Sequence, residues 1–302
     1  MRIGIIGAGA VGGYFGGKLA LAGKDVRVVA RGETLQKIRS AGLQLIEPEG
    51  ESTTVEVPVA ESFAELGGVD VVILATKALP GQDTFPGIPA AVPVVTTQNS
   101  VEVPYLAAEL LGESRVWPGV VRGFMVHRGP GVVEFKGGPL SLNFGTFDTS
   151  PSELAQQLAA DLTEAGLVGS VHEDIWVDVW NKAIFTAPMG ALGAASTQPL
   201  GYLRTVLRPQ LQQLFAEADQ VARAMGVNLP MDQVAQTLAF ADSLPEAATS
   251  SMQRDFLAGQ ISELDAQVGA IRRLGDHVKV ETPLHDMLQA VLEAQAAAAG
   301  RE

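Results

Sequence analysis

Apolar residues in the first half of the chain fall in short unbroken runs, whereas in the second half they recur at helical spacing. Arg2-Ile3-Gly4-Ile5-Ile6 opens as an apolar strand, Tyr14 to Leu21 reads as a helix closing at Gly23, and Asp25 to Ala30 reads as a second strand. Val69 to Ala75, Pro93 to Thr97 and Val116 to Val121 carry further strand patterns. Residues 131–146 alternate and contain glycines, which predicts two short strands in a hairpin-like edge. Ser152 to Ala165 reads as a helix capped by Ser150 or Ser152. Runs that are apolar at every residue belong to strands covered on both faces. Their alternation with helices predicts a mainly parallel sheet with helices on both sides.

Strand signals stop after about Val171. Leu207, Leu211, Leu214, Ala218, Val221 and Met225 share one helix face, ended by Gly226. Met252, Phe256, Leu264, Val268, Ile271 and Leu274 form a second face, read as one long helix that Gly275 stops. Leu284, Met287, Leu288, Val291 and Leu292 form a third, started by Thr282-Pro283, with Ala294 to Ala299 as its fraying end. The expected division is an α/β domain over residues 1–170 and an all-α domain over residues 171–302. The 302 residues suit two domains at roughly 150 residues each. Ligand sites favour domain interfaces, so substrate is expected between the two.

The turn after the first strand is Gly7-Ala8-Gly9-Ala10-Val11-Gly12, a G-x-G-x-x-G pattern. With 33 glycines in the chain, such a match can arise by chance; the strand before it and the helix after it supply the context that gives it meaning. Gly7 permits the tight turn, Gly9 lets a pyrophosphate approach the backbone, and Gly12 lets helix and sheet pack closely. The helix N-terminus then offers N–H groups and a positive dipole end to phosphates. At the end of the second strand, where an acidic residue would hold a ribose hydroxyl, stands Arg31. A guanidinium fork suits a 2′-phosphate, which favours NADP(H) over NAD(H). The alternative is a solvated loop arginine; Arg27, inside the strand, is less well placed.

A net charge of −13 argues against nucleic-acid and anionic-membrane partners. The absence of cysteine removes disulfides, thiolate catalysis and cysteine-ligated metals, and fits a reducing cytoplasm. The four histidines, at 127, 172, 277 and 285, lack metal-type spacing, so no metal is expected. The apolar residues 3–15 could be taken for a signal peptide, but the glycine pattern explains them better. No apolar run reaches about 18 residues; Ala183 to Ala195 is broken by Pro188, Gly190 and Gly193.

Reduction by a nicotinamide needs a proton donor for the carbonyl oxygen. Lys182 lies in Ile175 to Phe185, a helix rich in aromatic and aliphatic residues. Desolvation there would lower its pKa toward a useful range; equally, its stem could carry the ammonium out to water. Glu263, on the predicted long helix, is either a carboxylate that tunes the acid or contacts cofactor, or one more solvated charge. Ser250 and Ser251 either cap that helix or bond a ligand. Lys77 and Asn99 follow the C-terminal ends of successive strands, where open α/β sheets bind ligands.

Together these segments resemble the ketopantoate reductase (2-dehydropantoate 2-reductase) family over nearly the whole chain. Ala75-Thr76-Lys77-Ala78 is similar to its T-x-K-A segment, Thr97-Gln98-Asn99-Ser100 to its Q-N-G, and Trp180-Asn181-Lys182 to the helix bearing its lysine. Ser250-Ser251-Met252-Gln253-Arg254-Asp255 resembles S-S-M-x-x-D, and Ser262-Glu263-Leu264-Asp265 resembles T-E-I-D at the family spacing. The resemblance implies a Rossmann-type N-terminal domain and a C-terminal domain like that of 6-phosphogluconate dehydrogenase. It implies Lys182 as proton donor and Glu263 as its support and a cofactor contact. Residues 7–12, Arg31, Lys77 and Asn99 would hold NADP(H). Asn99, Lys182, Thr186 and Ser251 would meet the substrate. The implied reaction is NADPH-dependent reduction of 2-dehydropantoate to pantoate, in pantothenate and coenzyme A synthesis; a homodimer is compatible with it.

The departures fall on the substrate side. The family often carries asparagines where this chain has Thr186, Gly190 and Leu200, Asn99 is followed by Ser100 rather than glycine, and Y-I-N-G reads Ala266-Gln267-Val268-Gly269. Glycine and leucine cannot replace an amide's paired donor and acceptor. A paralogous reductase for another small 2-oxo acid is therefore the alternative, and a non-catalytic NADP-binding sensor a more distant one.

Overall fold

The strand–helix alternation is realised as β1 (Arg2–Ile6), α1 (Ala10–Leu21), β2 (Asp25–Val29), α2 (Gly32–Ala41), β3 (Leu43–Ile46), β4 (Ser52–Val55), β5 (Val59–Ala60), β6 (Val71–Leu74) and β7 (Val94–Thr96). It continues as α3 (Val103–Leu111), β8 (Val116–Arg122), β9 (Met125–Gly129), β10 (Val132–Phe135), β11 (Ser141–Phe144), α4 (Glu153–Glu164) and β12 (Val168–Val171). The computed structural model describes residues 1–85 and 87–300. Two units separate within it. Met1–Lys77, Asp83–Gln98 and Pro104–Ile175 form the first; Ala78–Gln82, Asn99–Val103 and the chain from Trp176 onward form the second.

In the first unit an eight-stranded sheet runs in the order β12-β11-β8-β7-β6-β1-β2-β5. Its pairs are parallel except β8 with β11. The central strands are buried on both faces, as their unbroken apolar runs require. Ile3, Ile5, Val71 and Ile73 enter one core with Tyr14, Phe15, Leu158 and Leu162. Ile6, Val72 and Leu74 enter another with Phe63 and Val94. The successive residues of β6 thus serve opposite faces, following the period-two geometry of a strand.

A second sheet, β4-β3-β10-β9, was not foreseen. The two strands expected as a hairpin over 131–146 do not pair with each other. β10 joins β9 and β3 in this sheet, whereas β11 joins β8 and β12 in the large one. Alternation identified both strands but carried no information about their partners. Helix α1 has side chains buried nearly all round. A Cβ on Gly13 would lie 2.8 Å from Val133 of β10, and one on Gly17 the same distance from Leu45 of β3, so these glycines set how closely the second sheet approaches.

The second unit is helical: α5 (Ile175–Ser196), α6 (Leu200–Thr205), α7 (Arg208–Ala224), α8 (Gln233–Ser243), α9 (Ser251–Leu257), α10 (Ala270–Val278) and α11 (Pro283–Ala298). Helix α5 continues through Pro188, which interrupts the apolar pattern but not the helix. The single helix expected from Met252 to Leu274 is in fact broken. Gly259, at φ +76°, ends α9, and a five-residue π turn, Asp265–Gly269, leads into α10. Nor does Gly275 stop α10, which runs to Val278 and closes on left-handed Lys279. Gly275 instead permits close packing, since a Cβ there would meet the Val280 carbonyl at 2.8 Å. Glu217 of α7 accepts from the backbone N–H groups of Leu284 and His285 and pairs with His285 Nδ1 at 2.8 Å. This buried carboxylate satisfies the open N-terminal donors of α11. No helix among the described residues is long and apolar enough to cross a membrane.

Candidate active site

The glycine turn of the first unit owes its shape to the backbone. Gly7 adopts φ +94°, reserved in practice for glycine. A Cβ on Gly12 would stand 2.0 Å from the Gly7 carbonyl oxygen, so no other residue fits without moving the turn. Gly9 is the N-cap of α1, no side chain caps the helix there, and a Cβ on it would meet nothing within 4 Å. The first-turn N–H groups of α1, which begins at Ala10 and Val11 after Ala8 and Gly9, thus have no side-chain cap, the arrangement a helix N-terminus offers to an anion.

Arg31 stands at the N-cap of α2, two residues beyond β2, and is exposed. Its guanidinium has no hydrogen bond or ion pair among the described residues. Arg27 differs: it is spent on the Leu66 and Gly68 carbonyls and on Asp25. Of the two arginines, the one at the strand end is thus the one not engaged among the described residues. Lys77 lies three residues beyond β6 and is exposed.

Asn99 lies three residues beyond β7 but belongs to the second unit, where three of the anticipated residues converge. Lys182 Nζ donates to Asn99 Oδ1 at 2.7 Å, and Asn99 Nδ2 donates to Glu263 Oε2 over a long 3.4 Å. Lysine only donates and an ionised carboxylate only accepts, so this amide orientation is the one that satisfies both neighbours. Lys182 is half-buried on α5, with Trp180 and Ile184 beside it fully buried. Glu263 is only 3% exposed, and it sits at the bend before the π turn rather than inside a long helix. The break at Gly259 is what frees this carboxylate from helical register. A cation, an amide and a carboxylate thus form one connected polar group.

The substrate-side candidates are arranged differently. The Thr186 hydroxyl donates back to the Lys182 carbonyl at 3.0 Å, one turn away on α5. Ser250 is the N-cap of α9, accepting from Gln253 N at 3.0 Å, which leaves Ser251 exposed in the first turn with its hydroxyl outside the cap. At Gly190 a Cβ would meet Met252 Cε at 2.5 Å and Ser250 Oγ at 2.8 Å. The space an asparagine would need is filled by the start of α9. Leu200 is fully buried at the start of α6, its N–H on the Ala248 carbonyl at 2.9 Å.

Sequence reasoning missed a neighbouring ion network. Arg273 of α10 grips Glu102 through Nε at 2.9 Å and Nη2 at 2.6 Å, and holds Asp265 Oδ1 through Nη1 at 2.7 Å. The Glu102 hydrogen bond is the largest influence raising the guanidinium pKa, against the lowering effect of burial. Gly269 was the available signal: a Cβ there would lie 2.5 Å from Asp265 Oδ1 and 2.9 Å from Arg273 Nη1. Among the described residues no cluster of histidine, aspartate and glutamate could hold a metal ion.

Comparison with known proteins agrees with the fold. The profile described as "Ketopantoate reductase PanE/ApbA" matches residues 3–149, and its C-terminal counterpart matches residues 174–296. A 2-dehydropantoate 2-reductase of Mesorhizobium japonicum is 32% identical, covering 99% of each chain. The crystal structure of a PanE/ApbA family ketopantoate reductase from Ralstonia eutropha JMP134 superposes with a TM-score of 0.87 at 29% identity, over 99% of this chain and 100% of that one. The ternary structure of a D-mandelate dehydrogenase with NADH and anilino(oxo)acetate shares the fold at a TM-score of 0.86 and 23% identity, over 99% and 100% of the two chains. The protein is a nicotinamide-dependent oxidoreductase by class. It belongs to the ketopantoate reductase PanE/ApbA family.

Proposed function

We propose that this chain reduces 2-dehydropantoate to pantoate with NADPH, Lys182 being the proton donor. The observation that carries the reading is the Lys182–Asn99–Glu263 group, which holds an ammonium in a defined orientation beside a buried carboxylate. Gly7, Gly9, Gly12 and the first turn of α1 would bind the diphosphate and Arg31 the 2′-phosphate; the bound nicotinamide supplies the hydride. The ammonium carries three N–H groups, and a substrate carbonyl would be met by one of them. Lys182 Nζ polarises that carbonyl and delivers a proton to its oxygen as negative charge develops there. Asn99 fixes the ammonium's direction, and Glu263 holds that amide from its other side. Ser251 Oγ, free of the cap, is the candidate contact for the substrate carboxylate.

The test is consumption of NADPH on adding 2-dehydropantoate to the purified protein. No turnover at high enzyme concentration, with NADPH binding demonstrated, would overturn the substrate assignment. For the cofactor, Arg31→Ala should weaken NADPH about 10- to 100-fold, the worth of charge-assisted bonds to a phosphate, while leaving NADH nearly unchanged. Equal weakening of both would remove the 2′-phosphate role.

A second reading, reduction of a different small 2-oxo acid, is favoured by Gly190 and Leu200. One position is closed over by Met252 and Ser250 and the other is core, so neither supplies an amide to a substrate hydroxyl. Comparing 2-dehydropantoate with 3,3-dimethyl-2-oxobutanoate, which differs only in lacking that hydroxyl, separates the readings. A site built to bond the hydroxyl should prefer it by about 10⁴-fold in kcat/KM. Near-equal values would point to the second reading.

A further inference from the structure

We propose that Arg273 is a positioning residue for this site: one guanidinium fastens the segment bearing Asn99 to the segment bearing Glu263, and thereby sets the amide between Lys182 and the carboxylate. The kinetic part of the proposal rests on the reductase reading above; the geometric part does not.

Neither segment has regular structure to hold it. Residues 99–102 and 261–263 lie outside helices and strands. Their fixed points are carboxylates a few residues on, Glu102 after Asn99 and Asp265 after Glu263. Arg273 takes both at once. It meets Glu102 with two parallel bonds, at 2.9 and 2.6 Å, and Asp265 at 2.7 Å, with a further contact from Nη2 to the Asp265 carbonyl at 3.3 Å. A planar fork that binds two carboxylates defines an angle between them as well as a distance, which an ammonium cannot do. The Glu102 side chain is only 15% exposed, so the pair is less screened than a surface salt bridge.

Three features indicate that the arrangement is built in. Gly269 leaves the room that Asp265 and Arg273 occupy. Asp265 opens the π turn, a helix irregularity that recurs at functional sites. Ser100, which follows Asn99, accepts from the N–H groups of Glu102 and Val103 at 3.2 and 3.4 Å. That turn ties the direction of Asn99 to the position of Glu102, so a force on one is felt by the other.

The chain contains four asparagines, at 99, 143, 181 and 228, so protein labelled with ¹⁵N only at asparagine side chains gives four amide signal pairs. The Asn99 pair is the one lost in Asn99→Asp. In Arg273→Gln the Asn99 pair should shift while those of Asn143 and Asn228 stay. Turnover of 2-dehydropantoate should fall about 10- to 100-fold, the penalty for misplacing a catalytic group by about 1 Å, with KM for the 2-oxo acid little changed. If Arg273→Gln does not fold, Glu102→Gln, which releases only the Asn99 arm, carries the same expectation. A folded variant whose Asn99 signals stay at their wild-type positions overturns the proposal, as does a displaced Asn99 amide with unchanged turnover. If the wild-type protein does not turn over 2-dehydropantoate, the functional reading has failed, and the amide spectrum alone decides the positioning role.

Discussion

The two units solve the same problem, holding polar groups still, by opposite means. In the first, backbone geometry does it. Gly7 is left-handed, Gly12 leaves no room for a Cβ, and the proposed anion cradle consists of N–H groups at the start of α1. In the second, side chains from distant parts of the sequence do it: Asn99 meets Lys182 and Glu263, and Glu102 meets Arg273. A cradle of main-chain donors accepts any diphosphate-bearing cofactor. On the proposed reading, discrimination comes from side chains, from Arg31 in one unit and from the residues around Lys182 in the other. This is consistent with one fold serving different 2-oxo acids, since the hydride chemistry needs the cradle and a proton donor while the remaining walls are free to vary.

The largest effect that tests this contrast is expected from Lys182→Ala. Removing a general acid costs about 10²- to 10⁴-fold in turnover. Lys182 is only half-buried, so the fold should survive and cofactor binding by the first unit should be unaffected. Stopped-flow measurement of NADPH oxidation together with NADPH fluorescence titration would check both. Turnover near the wild-type value would show that another group donates the proton.

Gly12→Ala should give the next largest effect, through the backbone rather than through a lost functional group. The added methyl must displace the Gly7 carbonyl from 2.0 Å, deforming the turn that aims the N–H groups. Strain of about 1–3 kcal/mol at such a site corresponds to roughly 5- to 150-fold weaker cofactor binding. Calorimetry should show this loss with the melting of the helical unit unchanged. An unaltered affinity would mean that the turn has slack and that cofactor binding rests on side chains after all.

The same contrast explains how much could be read from the sequence. Backbone constraints are local and leave glycines at fixed spacing, so the glycine turn, the first strands and helices along the chain and the place of Arg31 at the strand end were legible. The side-chain site was legible only as a set of suspects, because Asn99 lies 83 and 164 residues from the two partners it meets. Period alone merged α9, the π turn and α10 into one helix, which misplaced Glu263. The glycines at 259 and 269 were the contrary signals, one ending a helix and one clearing space for Arg273. The pairing of β10 and β11 with different partners had no local signature at all.

The smallest effect, and the one that bears most on the substrate, is expected from Thr186→Val. The hydroxyl already donates to the Lys182 carbonyl at 3.0 Å, so any substrate must use its lone pairs. Threonine back-bonding of this kind slightly weakens a helix, so its loss should change stability by less than about 1 kcal/mol. If the oxygen accepts a bond from the substrate, KM should rise about 2- to 10-fold with kcat retained, the worth of one neutral hydrogen bond. If KM does not move, α5 contacts the substrate through Lys182 without help from its next two turns, because Gly190 is already closed by Met252 and Ser250. Selectivity would then fall to the first turn of α9 and Ser251, and the contrast between a fixed cradle and a variable wall would narrow to that one turn.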